Sequence, residues 1–230
     1  MKKISEVLAS LGFFLLVTVI LLTVIDWSCF RKEFYRRELE KNDTVSVTGM
    51  SADGVLESTY VLLDYLRDER QDIIITETVN GTVREVFNER ETLHMIDVKA
   101  LYRNAVTARN VFAGAGLILL LCSVFLQRAH RSLLLKNGLR NGSLFMLGVV
   151  AFVAVWAMVD FNGFWTNFHL LFFDNDLWLL DPRTSIMINL LPGGLFFDLV
   201  TGIIIRFLIC MVLLYCIVSF LVPKLERGTE

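Results

Sequence analysis

The sequence predicts an all-α membrane bundle of four transmembrane helices carrying a small α+β extracytoplasmic domain. Of its 230 residues 55 % are hydrophobic, and the mean hydropathy is +0.58, too apolar for an ordinary soluble domain. Four stretches, residues 7–25, 111–126, 144–159 and 195–222, approach the roughly 20 apolar residues that cross a bilayer. Residues 29–108 stand apart as a charged island with alternating patterns, the signature of a segment outside the membrane.

The first helix is expected over residues 1–28. Its apolar core is longer than a signal peptide's and runs into IDWSCF without a small-x-small cleavage site, which favours a retained anchor. Asp26 and Trp27 before Cys29 also spoil a lipoprotein cleavage site. Within 29–108, VLESTYVLLDYL (residues 55–66) has helical spacing. DIIITETVNGTVREVF reads as two strands around Asn80-Gly81, a pair that tolerates positive φ and favours a type I′ turn. Asn88, with Glu91 three positions on, resembles a capping box, so a helix should start there and lead toward the second span.

The second span is expected over 109–127, a cytoplasmic loop over 128–141 and the third span over 142–160. Residues 161–197 have the look of a short aromatic hairpin lying in the membrane interface, where Trp and Phe are favoured. The fourth span is expected over 198–222, with a tail over 223–230. Lys2, Lys3, Arg128, Arg131, Lys136, Arg140, Lys224 and Arg227 all fall on one side of such a protein, which the positive-inside bias makes cytoplasmic. Both termini are then inside, and residues 29–108 and 161–197 face outward.

The net charge of −2 selects no partner, and nothing points to nucleic acid. Four cysteines, three of them in expected spans, form neither CxxC nor a disulfide framework and read as packing residues. No GxSxG elbow, phosphate loop, dinucleotide fingerprint, HExxH or Cys/His cluster occurs, so neither metal nor cofactor is expected.

What is left is histidine. Of three, His94 in ETLHMIDV and His169 in TNFHLLFFDNDLW fall on the expected outer side, while His130 falls inside. A side chain titrating near 6.5 can take and return a proton at neutral pH. Asp97, one helical turn from His94, can orient its imidazole; Asp174, Asn175 and Asp176 can do the same for His169. An interfacial histidine is equally well explained as a polar tip on an apolar body. Arg206, inside the last span, needs a partner: Asp198 two turns away, Asp26, Asp160, or a lipid carbonyl or substrate polar group. On these grounds alone a membrane sensor or assembly subunit with pH-responsive histidines stands beside an enzyme.

Three elements break the tie. ETLHMIDVKAL, FHLLFFDNDLWLLDP and the late LLPGGLFFD together resemble the bacterial lipoprotein intramolecular transacylases, a family of integral membrane proteins. The resemblance implies an enzyme that uses diacylated lipoproteins and moves the sn-2 acyl chain of the diacylglyceryl group to the α-amine of the N-terminal cysteine, leaving a lyso-form lipoprotein. The family's essential histidines fall on His94 and His169. Where the family commonly has an acidic residue after the second histidine and a polar one after the late proline, this chain has Leu170 and Gly193.

An α-amine must lose a proton before attacking an ester, and a neutral imidazole is a suitable base. Asp97 makes His94 the expected base, with His169 serving the developing oxyanion; an acyl-histidine intermediate is the alternative. Phe164, Trp165, Phe168, Phe172, Phe173 and Trp178 are expected to fix the depth of His169, and Phe168, Phe172, Phe173 and Trp178, with Arg206, to meet the substrate amid surrounding membrane lipid. The oligomeric state is not legible.

Overall fold

A computed structural model describes residues 2–127 and 130–227, with side chains as far as Phe220. Arg128 and the side chains of Lys224 and Arg227, counted above toward the cytoplasmic charge, lie outside the described residues. The order is α1 (Lys2–Cys29), α2 (Lys32–Lys41), α3 (Thr44–Thr48), α4 (Ala52–Leu66), β1 (Thr76–Val79), β2 (Thr82–Glu85), α5 (Glu89–Leu126), α6 (Arg131–Val159), α7 (Phe161–Phe172), α8 (Ile186–Leu190) and α9 (Gly193–Arg227). Four of these, α1, α5, α6 and α9, are long and apolar enough to cross a membrane. In α5 the apolar run begins at Val111.

The chain forms two compact units. The first comprises residues 1–27, 105–156 and 201–230, the helices of the bundle. Lipid tails offer helices no hydrophobic drive to associate, so close backbone approach and dispersion must hold them. Gly138 and Gly142, one turn apart on α6, supply that approach: a Cβ on Gly138 would meet Ala9, and one on Gly142 would strike the backbone of Ser10 and Phe14. Gly12 and Gly116 do the same between α1 and α5. Val17, Val24, Met146, Val150, Phe207 and Met211 form the buried centre. The one acid near the end of α1, Asp26, pairs with Arg109 at 2.6 Å.

Residues 128–141 were expected as a loop. Instead α6 begins at Arg131, so Arg131, Lys136 and Arg140 ride on its first turns. Within the stretch expected as a loop, Gly138 is an interhelix contact against Ala9.

The second unit joins residues 28–104 to 157–200, so two segments read as separate in sequence share one core. The hairpin forms as expected, with Thr78 opposite Val83 and with Asn80 (φ 50°) and Gly81 (φ 79°) at the turn. Helix α4 starts three residues earlier than its apolar pattern, because Ser51 caps it by accepting from Gly54 N at 3.0 Å. Helices α2 and α3 were not anticipated. In KEFYRRELEK the buried residues Phe34, Tyr35, Glu38 and Leu39 share one face, but seven Lys, Arg and Glu among the ten residues hide it. Residues 161–197 are not a hairpin: they fold as α7, an irregular strap over 173–185, α8, and the opening turn of α9.

Candidate active site

The unit's chemistry gathers where α7 and the strap meet the first turns of α5. The capping box forms as read: Glu91 N donates to Asn88 Oδ1 at 3.0 Å and Asn88 N to Glu91 Oε2 at 2.6 Å. What the sequence hid is the other oxygen. Glu91 is 0 % exposed, and its Oε1 accepts from Ser185 Oγ at 2.5 Å and Met187 N at 2.7 Å, pinning the start of α8 to the start of α5. A buried carboxylate without such donors would cost several kcal/mol, on the order of what a buried ion loses with its water.

Two further ties hold the strap. Asn175 Nδ2 donates to Asp97 Oδ2 at 2.8 Å, and Arg90 donates from Nη2 to the Asp176 carbonyl while pairing with its carboxylate at 3.2 Å. Asn175 also accepts from Leu177 N and Trp178 Nε1, each at 3.0 Å, which sets the Trp178 indole.

Helix α7 is started by Asp160, whose Oδ1 accepts from Gly163 N at 2.9 Å; a side chain at Gly163 would collide with that carboxylate. One face of α7 is aromatic. Trp165 stacks on Phe168 at 5.2 Å and on Phe196 at 4.4 Å, anchoring α7 to the opening of α9. Next on that face, His169 has Nδ1 2.7 Å from the Trp165 carbonyl, Trp178 stacked at 4.8 Å, and Phe168 and Phe173 at 5.5 and 5.7 Å. A carbonyl only accepts, so Nδ1 carries the hydrogen and Nε2 presents its lone pair.

His94 sits on α5 with its ring centroid 6.1 Å from that of His169 and an edge contact to Phe173 at 5.4 Å. Each histidine is 8 % exposed. Burial and the neighbouring His169 hold the His94 imidazole down to about 4, opposed by the Asp97 carboxylate and helped least by the Arg90 guanidinium. Burial also lowers His169, offset in part by the Trp165 carbonyl. Both rings are therefore neutral at pH 7.

The expected hydrogen bond from Asp97 to His94 is not made. Asp97 is engaged by Asn175, and His94 Nδ1 is buried with no hydrogen-bond partner. Asp174 is exposed and makes no hydrogen bond among the described residues. Phe168, Phe173 and Trp178 ring the imidazoles; Phe172 packs on Phe168 at 4.9 Å but is half exposed.

Arg206 does not pair with Asp198, which instead binds Lys41. Its guanidinium lies 5.4 Å over the Trp27 ring, and Asp26 and Asp160 are taken by Arg109 and the α7 cap. The residues that sequence reasoning missed are Arg90 and Ser185. Only the capping box hinted at them, by marking where α5 begins. Among the described residues no cluster of three or more His, Cys, Asp or Glu is arranged to hold a metal.

Comparison with known proteins places the fold and the family. No curated protein matches the chain. The family model for lipoprotein intramolecular transacylase Lit matches residues 10–197. Among solved structures, the in meso structure of the membrane integral lipoprotein intramolecular transacylase Lit from Bacillus cereus is 18 % identical, with a TM-score of 0.71 over 98 % of this chain and 96 % of that one. Two variants of that enzyme, with one histidine replaced by arginine or by alanine, each give 0.73 at 17 % and 18 % identity, covering 100 % and 99 % of this chain and 95 % and 96 % of theirs. At such identity the structures speak for the fold, whereas the family match spans most of the sequence. The chain belongs to the lipoprotein intramolecular transacylases, a family of membrane-integral enzymes.

Proposed function

We propose that this transacylase moves the sn-2 acyl chain of a diacylglyceryl lipoprotein to the α-amine of the lipoprotein's own N-terminal cysteine, with His169 as base and His94 facing the ester carbonyl. The observation that carries the reading is the pair of neutral, buried imidazoles 6.1 Å apart, drawn from distant parts of the chain.

The reaction asks for one proton to be lifted and returned. An α-amine has a pKa of about 7.7–8.0, so near neutrality a fraction of it is the free amine, which attacks and then carries a positive charge until it sheds one proton. His169 suits that task, because the Trp165 carbonyl holds Nδ1–H and leaves Nε2 as the acceptor. The amine nitrogen bonds to the ester carbonyl carbon, the carbonyl π pair moves onto oxygen, and His169 Nε2 takes the ammonium proton. His94 hydrogen-bonds the oxyanion. Collapse breaks the bond to the sn-2 oxygen, which takes the proton from His169; the amide, a free glycerol hydroxyl and neutral imidazole result. This reverses the roles expected from Asp97, since that carboxylate is turned to Asn175.

Amine and ester belong to one substrate, so holding a bent conformer supplies much of the rate. Phe168, Phe173 and Trp178 exclude water from the imidazoles, Asp97 and Asn175 support the strap, and the exposed Leu170, Leu171 and Phe172 extend an apolar surface toward acyl chains and membrane lipid. Arg206 beside Trp27 is available to a lipid or substrate carbonyl. The positive-inside bias of Lys2, Lys3, Arg131, Lys136 and Arg140 supports cytoplasmic termini and an outward site in a bacterial cytoplasmic membrane.

Tandem mass spectrometry of a lipoprotein N-terminal peptide tests the reading in cells making diacyl lipoprotein, with and without this protein. Transfer leaves the mass unchanged, so fragmentation must locate the chain, and alkali must fail to release it. An N-acyl group dependent on His94 and His169 is expected; an ester left in place beside well-expressed protein sinks the proposal.

A further inference from the structure

We propose that Asn175 is a positioning residue: held by Asp97, it keeps the Trp178 indole stacked on His169 and so fixes the direction in which that imidazole presents Nε2. The inference deepens the reading above and rests on it for its catalytic meaning, but not for its geometry.

Arg90, His94 and Asp97 stand at i, i+4 and i+7 on α5 and line one stripe of that helix. The strap is tied to this stripe one turn to either side of His94. Asn175 Nδ2 donates to Asp97 Oδ2 at 2.8 Å, and the next residue, Asp176, takes Arg90. Both side-chain heteroatoms of Asn175 and its carbonyl are engaged. Its Oδ1 accepts from Leu177 N, which closes the turn leading to Trp178, and its carbonyl accepts from Trp178 Nε1, each at 3.0 Å. The amide cannot turn over, because that would set its oxygen against a carboxylate and its nitrogen against an N–H. Trp178 then lies on His169 with ring centroids 4.8 Å apart and planes 27° from parallel.

The Trp165 carbonyl holds His169 at Nδ1, but one hydrogen bond leaves a ring free to rock about it. An indole laid along the imidazole face stops that motion, while Trp165 meets the ring edge-on at 5.0 Å. The aim of Nε2 is set by these contacts together, and a misplacement of about 1 Å at a reacting group can cost on the order of 10²-fold in rate. Asp97 thereby reaches His169, 72 positions on, through Asn175 and Trp178. It also favours the protonated form of His94 by its charge, so the test must separate charge from hydrogen bond.

Exchanging the two side chains does so. Asn175→Asp alone sets two carboxylates face to face and removes the tie. Adding Asp97→Asn restores a donor and an acceptor, with the carboxylate now on the strap and still able to accept from Leu177 N. In the full chain in lipid nanodiscs, long-range 1H–15N correlation reads the ring-current shift that Trp178 imposes on His169. His169→Gln identifies those signals among the three histidines, and Trp178→Leu gives their position without the indole. In Asn175→Asp they should move toward that position, and in the exchanged pair return. Turnover should follow, with kcat about 10-fold lower in Asn175→Asp at little change in KM, the size of one lost hydrogen bond to a charged group, and recovered to within about 3-fold by the exchange. Signals unmoved in Asn175→Asp overturn the inference, as do a displaced ring with undiminished kcat and an exchanged pair no better than the single variant. If Asn175→Asp does not fold, the exchanged pair decides: native-like signals are expected, and signals like those of Trp178→Leu overturn the inference. Absence of turnover in the native chain with the shift present would instead fault the reaction assigned above.

Discussion

Neutral histidines in a buried site make two demands that can be measured residue by residue. The first is chemical. If His169 is the base, His169→Ala should lower kcat by roughly 10²–10⁴-fold while the protein stays folded, as single-turnover mass spectrometry of a lipopeptide would show. The second is thermodynamic. His94 binds a proton near pH 6.5 when unfolded but only near 4 when folded, so between those values the unfolded chain holds more protons. Stability should be full above about pH 6.5, fall as pH is lowered through this window, and level off below about 4. The loss attributable to His94 is at most about 3 kcal/mol, and His169, also lowered, acts with the same sign. Unfolding midpoints in detergent across pH 4–8 check it; a His94→Gln variant should show a shallower slope.

Elements hold this site through a few ties rather than a large core. Glu91 serves two helices at once, so Glu91→Ala should cost about 2–4 kcal/mol by stranding Asn88 N, Ser185 Oγ and Met187 N. It should also raise KM, because α8 and the strap lose their anchor on α5; steady-state kinetics beside a thermal melt separates the two effects. In the bundle the ties are absences of side chain. Gly142→Val would drive a side chain into the backbone of Ser10 and Phe14, and the fraction of folded protein recovered should collapse. Gly148→Ala is the control: no atom lies within 4 Å of its added Cβ, so size-exclusion recovery should match the parent.

At the scale of the whole molecule the proposal is one of sidedness. With the native cysteines replaced, a single cysteine at Asp53 should react with a membrane-impermeant maleimide in intact cells. One at Arg140 should react only after lysis. Reaction of Arg140→Cys from outside would invert the topology and place the histidines in the cytoplasm.

Local rules wrote much of this protein into its sequence. Four apolar stretches of bilayer length, the Asn80-Gly81 turn and the Asn88/Glu91 box depend on residues within a few positions of one another, and each formed. Histidine positions and the motifs around them sufficed to suggest the family. Pairings across the chain were another matter. Asp97 is one turn from His94, yet its partner is Asn175, 78 positions on; Asp198 chose Lys41 over Arg206. Arg131, Lys136 and Arg140 read as a loop, yet Gly138 among them packs α6 against α1. Sequence spacing ranks partners by local distance, whereas a buried polar group is satisfied by whichever donor the packed helices bring within hydrogen-bond reach. The tertiary structure alone therefore decided which nitrogen of His169 the Trp165 carbonyl holds and which groups the buried Glu91 carboxylate serves.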